Sequence, residues 1–298
     1  MTNRLGLHAN VWVRDWTRDS CTLAVNRTAE LGFDLIEISA PDPQALDIAF
    51  TARELERAGI SANLSLGLDE ACDISSGDPV RMAAGEARLR EVVAAAAELG
   101  STHVCGILHS AFRKYSEPPT AAGIAGAVEV LRRTGEEAGR HGITLGLEVV
   151  NRYESNVLNT AGQAVEFCHR IGLPNVKVHL DSYHMNIEEA DAAQAIVATG
   201  ADLGYFHLGE SNRGYLGAGS VDFPRLFAAL VRIGYDGPLV FESFSSTVVG
   251  QPLCGILGIW RNLWEDGGDL ARHARQCIET QLKTAREIGD EARRSALP

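Results

Sequence analysis

The chain has 298 residues, 45% of them apolar, enough to bury a large core as one big α/β domain or as two ordinary ones. Its 39 acidic and 27 basic residues leave a net charge of -12, a field that repels phosphate backbones and anionic lipid surfaces, so neither nucleic acid nor membrane is expected as a partner. The segment MTNRLGLHANVWVRDW lacks the apolar run of a signal peptide and no later segment approaches the ~20 apolar residues that span a bilayer, which reads as a soluble, cytoplasmic protein. The six cysteines are far apart and form no CxxC pair, so free thiols are expected rather than a zinc cluster or a disulfide framework.

In chain order, short runs rich in Val, Ile and Leu alternate with longer segments of helical period. The runs are LGLHANVWV (5–13), DLIEIS (34–39), ISANLSL (60–66), THVCGIL (102–108), ITLGLEVV (143–150), VKVHLD (176–181), LGYFHLG (203–209) and PLVFES (238–243). Between them, Asp78 and Pro79 open a helix that runs to Gly100, and Asp222 opens another in which Phe223, Leu226, Phe227 and Leu230 recur at helical spacing before Gly234. Eight such units in one chain predict a (β/α)8 TIM barrel as a single domain over residues 1–290, with a frayed tail at 291–298. A doubly wound sheet usually carries fewer strands and a Gly-rich nucleotide turn, which is missing here; the glycines of Gly217-Ala218-Gly219 suit a tight turn better than a phosphate cradle.

In a TIM barrel the catalytic groups sit where strands end. The fifth strand is expected to end at Glu148, the sixth at Asp181, the seventh at His207 and the eighth at Glu242, so four adjacent strands aim three carboxylates and an imidazole at one small volume. Taken singly, a strand-end acid is often a solvated rim group, Asp181 would serve as a helix cap, and His207 would be a satisfied core histidine. Their coincidence on consecutive strands favours a joint function. Like charges ~4 Å apart at an effective dielectric of ~20 repel by about 4 kcal/mol, so such acids take up protons or gather round a cation. An oxygen-rich set with one imidazole suits Mn²⁺ or Mg²⁺ better than zinc. The following loops bring Glu154, His184 and Arg213 within reach of the same mouth.

The stretches GLEVVNRYESN, VHLDSYHMN, FHLGESNRGYLGAG and VFES, in this order and spacing, resemble the ketose 3-epimerase family, which includes D-tagatose, D-psicose (D-allulose) and L-ribulose 3-epimerases and belongs to the wider xylose-isomerase-like group of TIM barrels. The resemblance spans nearly the whole chain. It implies that Glu148, Asp181, His207 and Glu242 bind one Mn²⁺ or similar ion (Mg²⁺ or Co²⁺ being the alternatives), with Glu148 and Glu242 as the two acid/base groups. It also implies that Glu154, His184 and Arg213 hold the O1 and O2 end of a ketose. Trp12, Trp16 and the strand-four loop GILHSAFRKY fall where family members differ; for both tryptophans, ordinary core packing is the competing account.

The chemistry is consistent with that assignment. Inverting C3 of a ketose removes a proton beside the C2 carbonyl and returns one to the opposite face, which needs two bases flanking the sugar. An aldose–ketose isomerase or an inosose-type dehydratase would use similar ligands on the same barrel. A nuclease of the endonuclease IV type would need more metal ligands and a basic groove, and a non-catalytic sugar binder would need no paired bases. A homo-oligomer, dimer or tetramer, is expected. Ile256, Leu257, Ile259, Trp260, Leu263 and Trp264 form an apolar segment that suits either an interface or, as the favoured reading, barrel packing.

Overall fold

The computed structural model describes residues 3–295. Eight parallel strands close on themselves in sequential order: β1 (Leu5–His8), β2 (Leu35–Ser39), β3 (Ser61–Leu68), β4 (His103–Ala111), β5 (Thr144–Glu148), β6 (Val176–Asp181), β7 (Leu203–Leu208) and β8 (Leu239–Phe241), with β8 paired back to β1. Outside them lie α1 (Arg18–Glu30), α2 (Ile48–Ala58), α3 (Pro79–Glu98), α4 (Ala121–Arg140), α5 (Ala161–Ile171), α6 (Ser182–Glu188), α7 (Ala192–Thr199), α8 (Phe223–Arg232), the short α9 (Ser246–Val249) and α10 (Leu253–Leu257), and α11 (Gly267–Ser295). This is the expected TIM barrel. Among the described residues no helix is long and apolar enough to cross a membrane, and all six cysteines are free.

The strands read as near-continuous apolar runs because both faces are covered. Side chains such as Leu7, Ile36, Leu145, Val178, Phe206 and Leu208 point outward into the main core beneath the helices. Inward residues alternate with them. Leu35, Cys105, Tyr205 and Val240 form a separate buried cluster that plugs the lumen. Two residues further along their strands, Leu35, Tyr205 and Val240 give way to Glu37, His207 and Glu242, so the polar groups form the layer directly above the plug. Gly6 makes room for that plug: a Cβ there would lie 2.5 Å from Leu35 and 2.7 Å from Val240.

Helix starts follow the sequence closely. Asp78 accepts from the backbone N–H groups of Val80 and Arg81 with Pro79 in the first turn, and Asp222 accepts from that of Arg225. Three expectations change. The first strand is expected over 5–13 but stops at His8, because His8 Nδ1 accepts from Asn10 N and the Asn10 side chain donates to Val13 O, so side-chain bonds coil this segment instead of extending it. The last strand is shorter than expected and ends at Phe241, one residue before Glu242. The last helix continues through Ser295, into the segment read as a frayed tail; 296–298 lie outside the described residues.

Candidate active site

The register sets the level of the site. Asp181 pairs with His207 across β6 and β7, Glu148 with His179 across β5 and β6, and His8 with Glu37 across β1 and β2. Glu148, Asp181, His207 and Glu242 are all buried at the same end of the barrel. His207 Nδ1 lies 3.7 Å from Glu148 Oε1 and 3.6 Å from Glu242 Oε1, and ligand atoms of Asp181, His207 and Glu242 all fall within 4.8 Å of one another. The strand-end acids and imidazole thus share one volume.

The loop groups close over them. Arg213 donates to Asp181 Oδ2 at 3.3 Å and to Glu242 Oε2, and its guanidinium lies 3.7 Å from the centre of the Tyr183 ring. Its backbone is in the left-handed region at φ 61°, unusual for a residue with a side chain. Surrounding contacts hold it there: its carbonyl accepts from Ser243 Oγ, which in turn accepts from Trp264 Nε1 at 2.8 Å. The buried Glu210 shapes the rest of this loop by accepting from Gly217 N at 2.8 Å and Val221 N at 3.2 Å. A Cβ at Gly219 would sit 2.3 Å from the same carboxylate, so the Gly217-Ala218-Gly219 segment is a tight turn folded onto Glu210.

His184 has a defined tautomer. Its Nδ1 accepts from Asn151 N at 3.1 Å, which leaves Nε2 as the protonated edge, 3.8 Å from Glu148, 3.8 Å from Glu154 and 3.7 Å from Asp181. Burial, followed by the charge of Arg213, holds His184 well below the ordinary histidine range, so it is a neutral donor aimed at the acids. Asn151 also donates to Glu154 Oε1 at 2.8 Å and so fixes the second acid of the loop. On the other side, His109 Nε2 donates to the carbonyl of Glu148 at 2.9 Å and Arg113 N to that of Glu154 at 3.0 Å, so the strand-four loop props up the strand-five loop.

The acids are not equivalent. Burial pushes Glu148 well above the usual carboxylate range; the His207 charge works against this, and Glu242 and Asp181 add to it. Burial likewise raises Asp181 to about 6 despite Arg213, and Glu154 to about 7. At Glu242 burial is outweighed by Arg213, His207 and His8, which hold it low. His207 is discouraged from carrying charge by burial, but Glu37, Glu242 and Glu148 raise it to about 10. His207 Nδ1 is buried with no hydrogen-bond partner. A lone imidazole nitrogen facing carboxylates on neighbouring strands is a donor set that fits a hard divalent cation.

Residues 25–281 match the family described as a xylose isomerase-like TIM barrel. A ketose 3-epimerase of Arthrobacter globiformis is 48% identical over 285 residues, covering 96% of this chain and 99% of the relative. Among solved structures, an L-ribulose 3-epimerase superposes with a TM-score of 0.96 at 41% identity, covering 100% of each chain. A D-allulose 3-epimerase from Methylomonas sp., solved in complex with D-allulose, gives 0.92 at 42% identity over 94% of this chain and 97% of that one. The chain belongs to the xylose isomerase-like TIM barrels, and within them to the ketose 3-epimerases.

As a ketose 3-epimerase family member the chain is an enzyme, an isomerase of carbohydrates, and not the non-catalytic sugar binder held open above. Several residues of this ketose 3-epimerase site escaped the sequence reading. His8 ends β1, and Glu37 is an acid inside the apolar run DLIEIS, the same signal that picked out Glu148. Glu37 is fully buried and accepts from His207 Nε2 and from Tyr205 Oη, each at 2.8 Å. The two tryptophans, by contrast, pack outside the pocket: Trp12 Nε1 donates to Thr28 of α1 and Trp16 Nε1 to Thr51 of α2, each at 3.0 Å. From the strand-four loop, Gly106, Ile107 and Phe112 do line the pocket.

Proposed function

We propose that the chain inverts C3 of a free ketose of the D-psicose/D-fructose, D-tagatose or L-ribulose class, with one divalent ion, Mn²⁺ first and Mg²⁺ or Co²⁺ as alternatives. The observation that carries this is the flanking of His207 Nδ1 by Glu148 at 3.7 Å and Glu242 at 3.6 Å, two carboxylates on strands separated by two others. Glu148, Asp181, His207 and Glu242 would hold the ion. When bound, it supplies Lewis-acid stabilisation of charge developing on the sugar oxygens, on the order of several kcal/mol.

Glu148 and Glu242 are the proton carriers. One takes the C3 proton from one face of the sugar and the other returns a proton to the opposite face, and the reverse reaction uses them in the opposite order. Their surroundings already divide the roles, with Glu148 favouring its protonated form and Glu242 its ionised form. His184 Nε2–H, the Arg213 guanidinium and Glu154 surround the O1 and O2 end, where they orient the carbonyl and offer donors to its oxygen. Leu66, Ile107, Phe112 and Phe244 form an apolar wall for the C–H face of the sugar and keep water from the acids. The relatives' names, L-ribulose 3-epimerase and D-allulose 3-epimerase, fit a pocket of this character.

The test is incubation of metal-replete protein with a panel of ketoses in D₂O. Solvent deuterium at C3 of substrate and of a new epimer is the expected result. Label at C1 with aldose formation would make the enzyme an aldose–ketose isomerase, and loss of water would make it a dehydratase. The same reading carries a cytoplasmic location and a homo-oligomer, dimer or tetramer. Ile259 and Trp264 are buried within the fold, whereas Ile256 and Trp260 are 50% and 75% exposed and remain available to a partner subunit, which a molar-mass measurement in solution decides.

A further inference from the structure

Glu37 is a fully buried acid to which the proposed reaction gives no task. A carboxylate costs several kcal/mol to bury unless it is paired, so its retention in the middle of β2 asks for a partner that needs it. That partner is His207. Glu37 Oε2 accepts from His207 Nε2 at 2.8 Å, on the edge of the ring away from Nδ1, which faces Glu148 and Glu242. The same oxygen accepts from Tyr205 Oη at 2.8 Å, which settles which carboxylate oxygen meets the imidazole. His179 packs edge-on against the ring at 4.2 Å between centroids and limits its rotation.

Glu37, Cys105 and His207 also converge as a possible ligand group, but a cation there would need Nε2, which Glu37 already occupies with a hydrogen bond. We propose that Glu37, oriented by Tyr205, is a positioning residue that holds His207 protonated on Nε2 and thereby commits Nδ1 to the metal. A neutral imidazole has one N–H and one lone pair; fixing the N–H behind the ring presents the lone pair in front. The carboxylate also strengthens the nitrogen as a donor. This rests on the reading of His207 as a metal ligand.

The test uses full-length, metal-stripped protein titrated with Mn²⁺, with free ion followed by electron paramagnetic resonance and directly bound imidazole nitrogen by spin-echo modulation. Glu37→Leu is expected to weaken Mn²⁺ binding by about 10–100-fold and to lose or alter the nitrogen modulation. Glu37→Gln, which keeps an acceptor oxygen, is expected to retain both, and melting of the metal-free variants by circular dichroism separates this from loss of fold. Wild-type affinity and modulation in Glu37→Leu would overturn the proposal, as would weakened binding with unchanged modulation. Should Glu37→Leu fail to fold, long-range ¹H–¹⁵N correlations of Mg²⁺-loaded wild type decide: a proton on Nε2 of His207 is expected, and its absence refutes the assignment. Mn²⁺ bound through nitrogen without C3 exchange on any ketose breaks the epimerase reading alone.

Discussion

The two sides of the barrel mouth meet one pocket with different chemistry. Strands β5 to β8 and their loops contribute Glu148, Glu154, His184, His207, Arg213 and Glu242, all ionisable and nearly all interlocked. Strands β1 to β4 contribute Ser39, Ser65, Leu66, Gly67, Ile107 and Phe112, small or apolar groups, with His8 and Glu37 among the strand acids rather than in the wall. The first side is fixed by hydrogen bonds and ion pairs that tolerate little displacement. The second is a packed surface whose shape decides what fits against it. One side therefore does the proton chemistry while the other selects the sugar.

The sharpest way to break that division is at the two acids. Glu148→Gln and Glu242→Gln should each lower kcat for C3 epimerisation by about 10²–10⁴-fold while circular dichroism melting stays near that of the parent. Substantial turnover by either variant refutes a two-base mechanism. A change of comparable size from a substitution in the β1–β4 wall would erase the distinction between the sides.

Metal uptake should be equally one-sided. In the metal-free protein His207, raised to about 10, and Glu148, raised well above the usual range, hold protons at pH 7 that ligation must displace. Mn²⁺ binding then releases protons, so affinity strengthens as pH rises and weakens as it falls, by about tenfold per pH unit for each proton released. Calorimetry in buffers of different ionisation enthalpy counts those protons. A pH-independent dissociation constant between pH 6 and 8 would contradict the protonation states assigned to the β5–β8 side.

The smallest effect belongs to the wall. A Cβ at Gly67 would lie 2.9 Å from Phe112 Cβ, so Gly67 lets that ring settle against β3. Phe112→Ala should shift KM among ketoses by about 3–10-fold, within the range of lost apolar contacts, and leave kcat within about twofold. Steady-state kinetics over a panel of ketoses measures this. A fall in kcat with unchanged KM would move Phe112 from selection to chemistry.

The barrel was legible because each strand, buried on both faces, repeats the same apolar signature, and because Asp78, Pro79 and Asp222 mark helix starts by local chemistry that tertiary structure does not override. Glu148, Asp181 and His207 stood out for a related reason: a polar group that closes an apolar run is conspicuous. Glu37 sits inside such a run and not at its end, so its placement in the lumen became visible only with the register, which pairs it with His8. Asn151 and Ser243 act through backbone groups and through a side chain distant in sequence, a geometry that composition does not encode. The first strand's early end has the same origin, two side-chain to backbone bonds at His8 and Asn10.

The lumen plug of Leu35, Cys105, Tyr205 and Val240 has a kinetic consequence. With the floor sealed, the reactant and its epimer share a single doorway and must take turns in it. Because the two sugars differ at one carbon, whatever admits one retains the other, and accumulating epimer blocks the next molecule's entry. Progress curves should bend well before equilibrium is reached, and speeding the exchange at the threshold would do more for net conversion than quickening the chemistry beneath it.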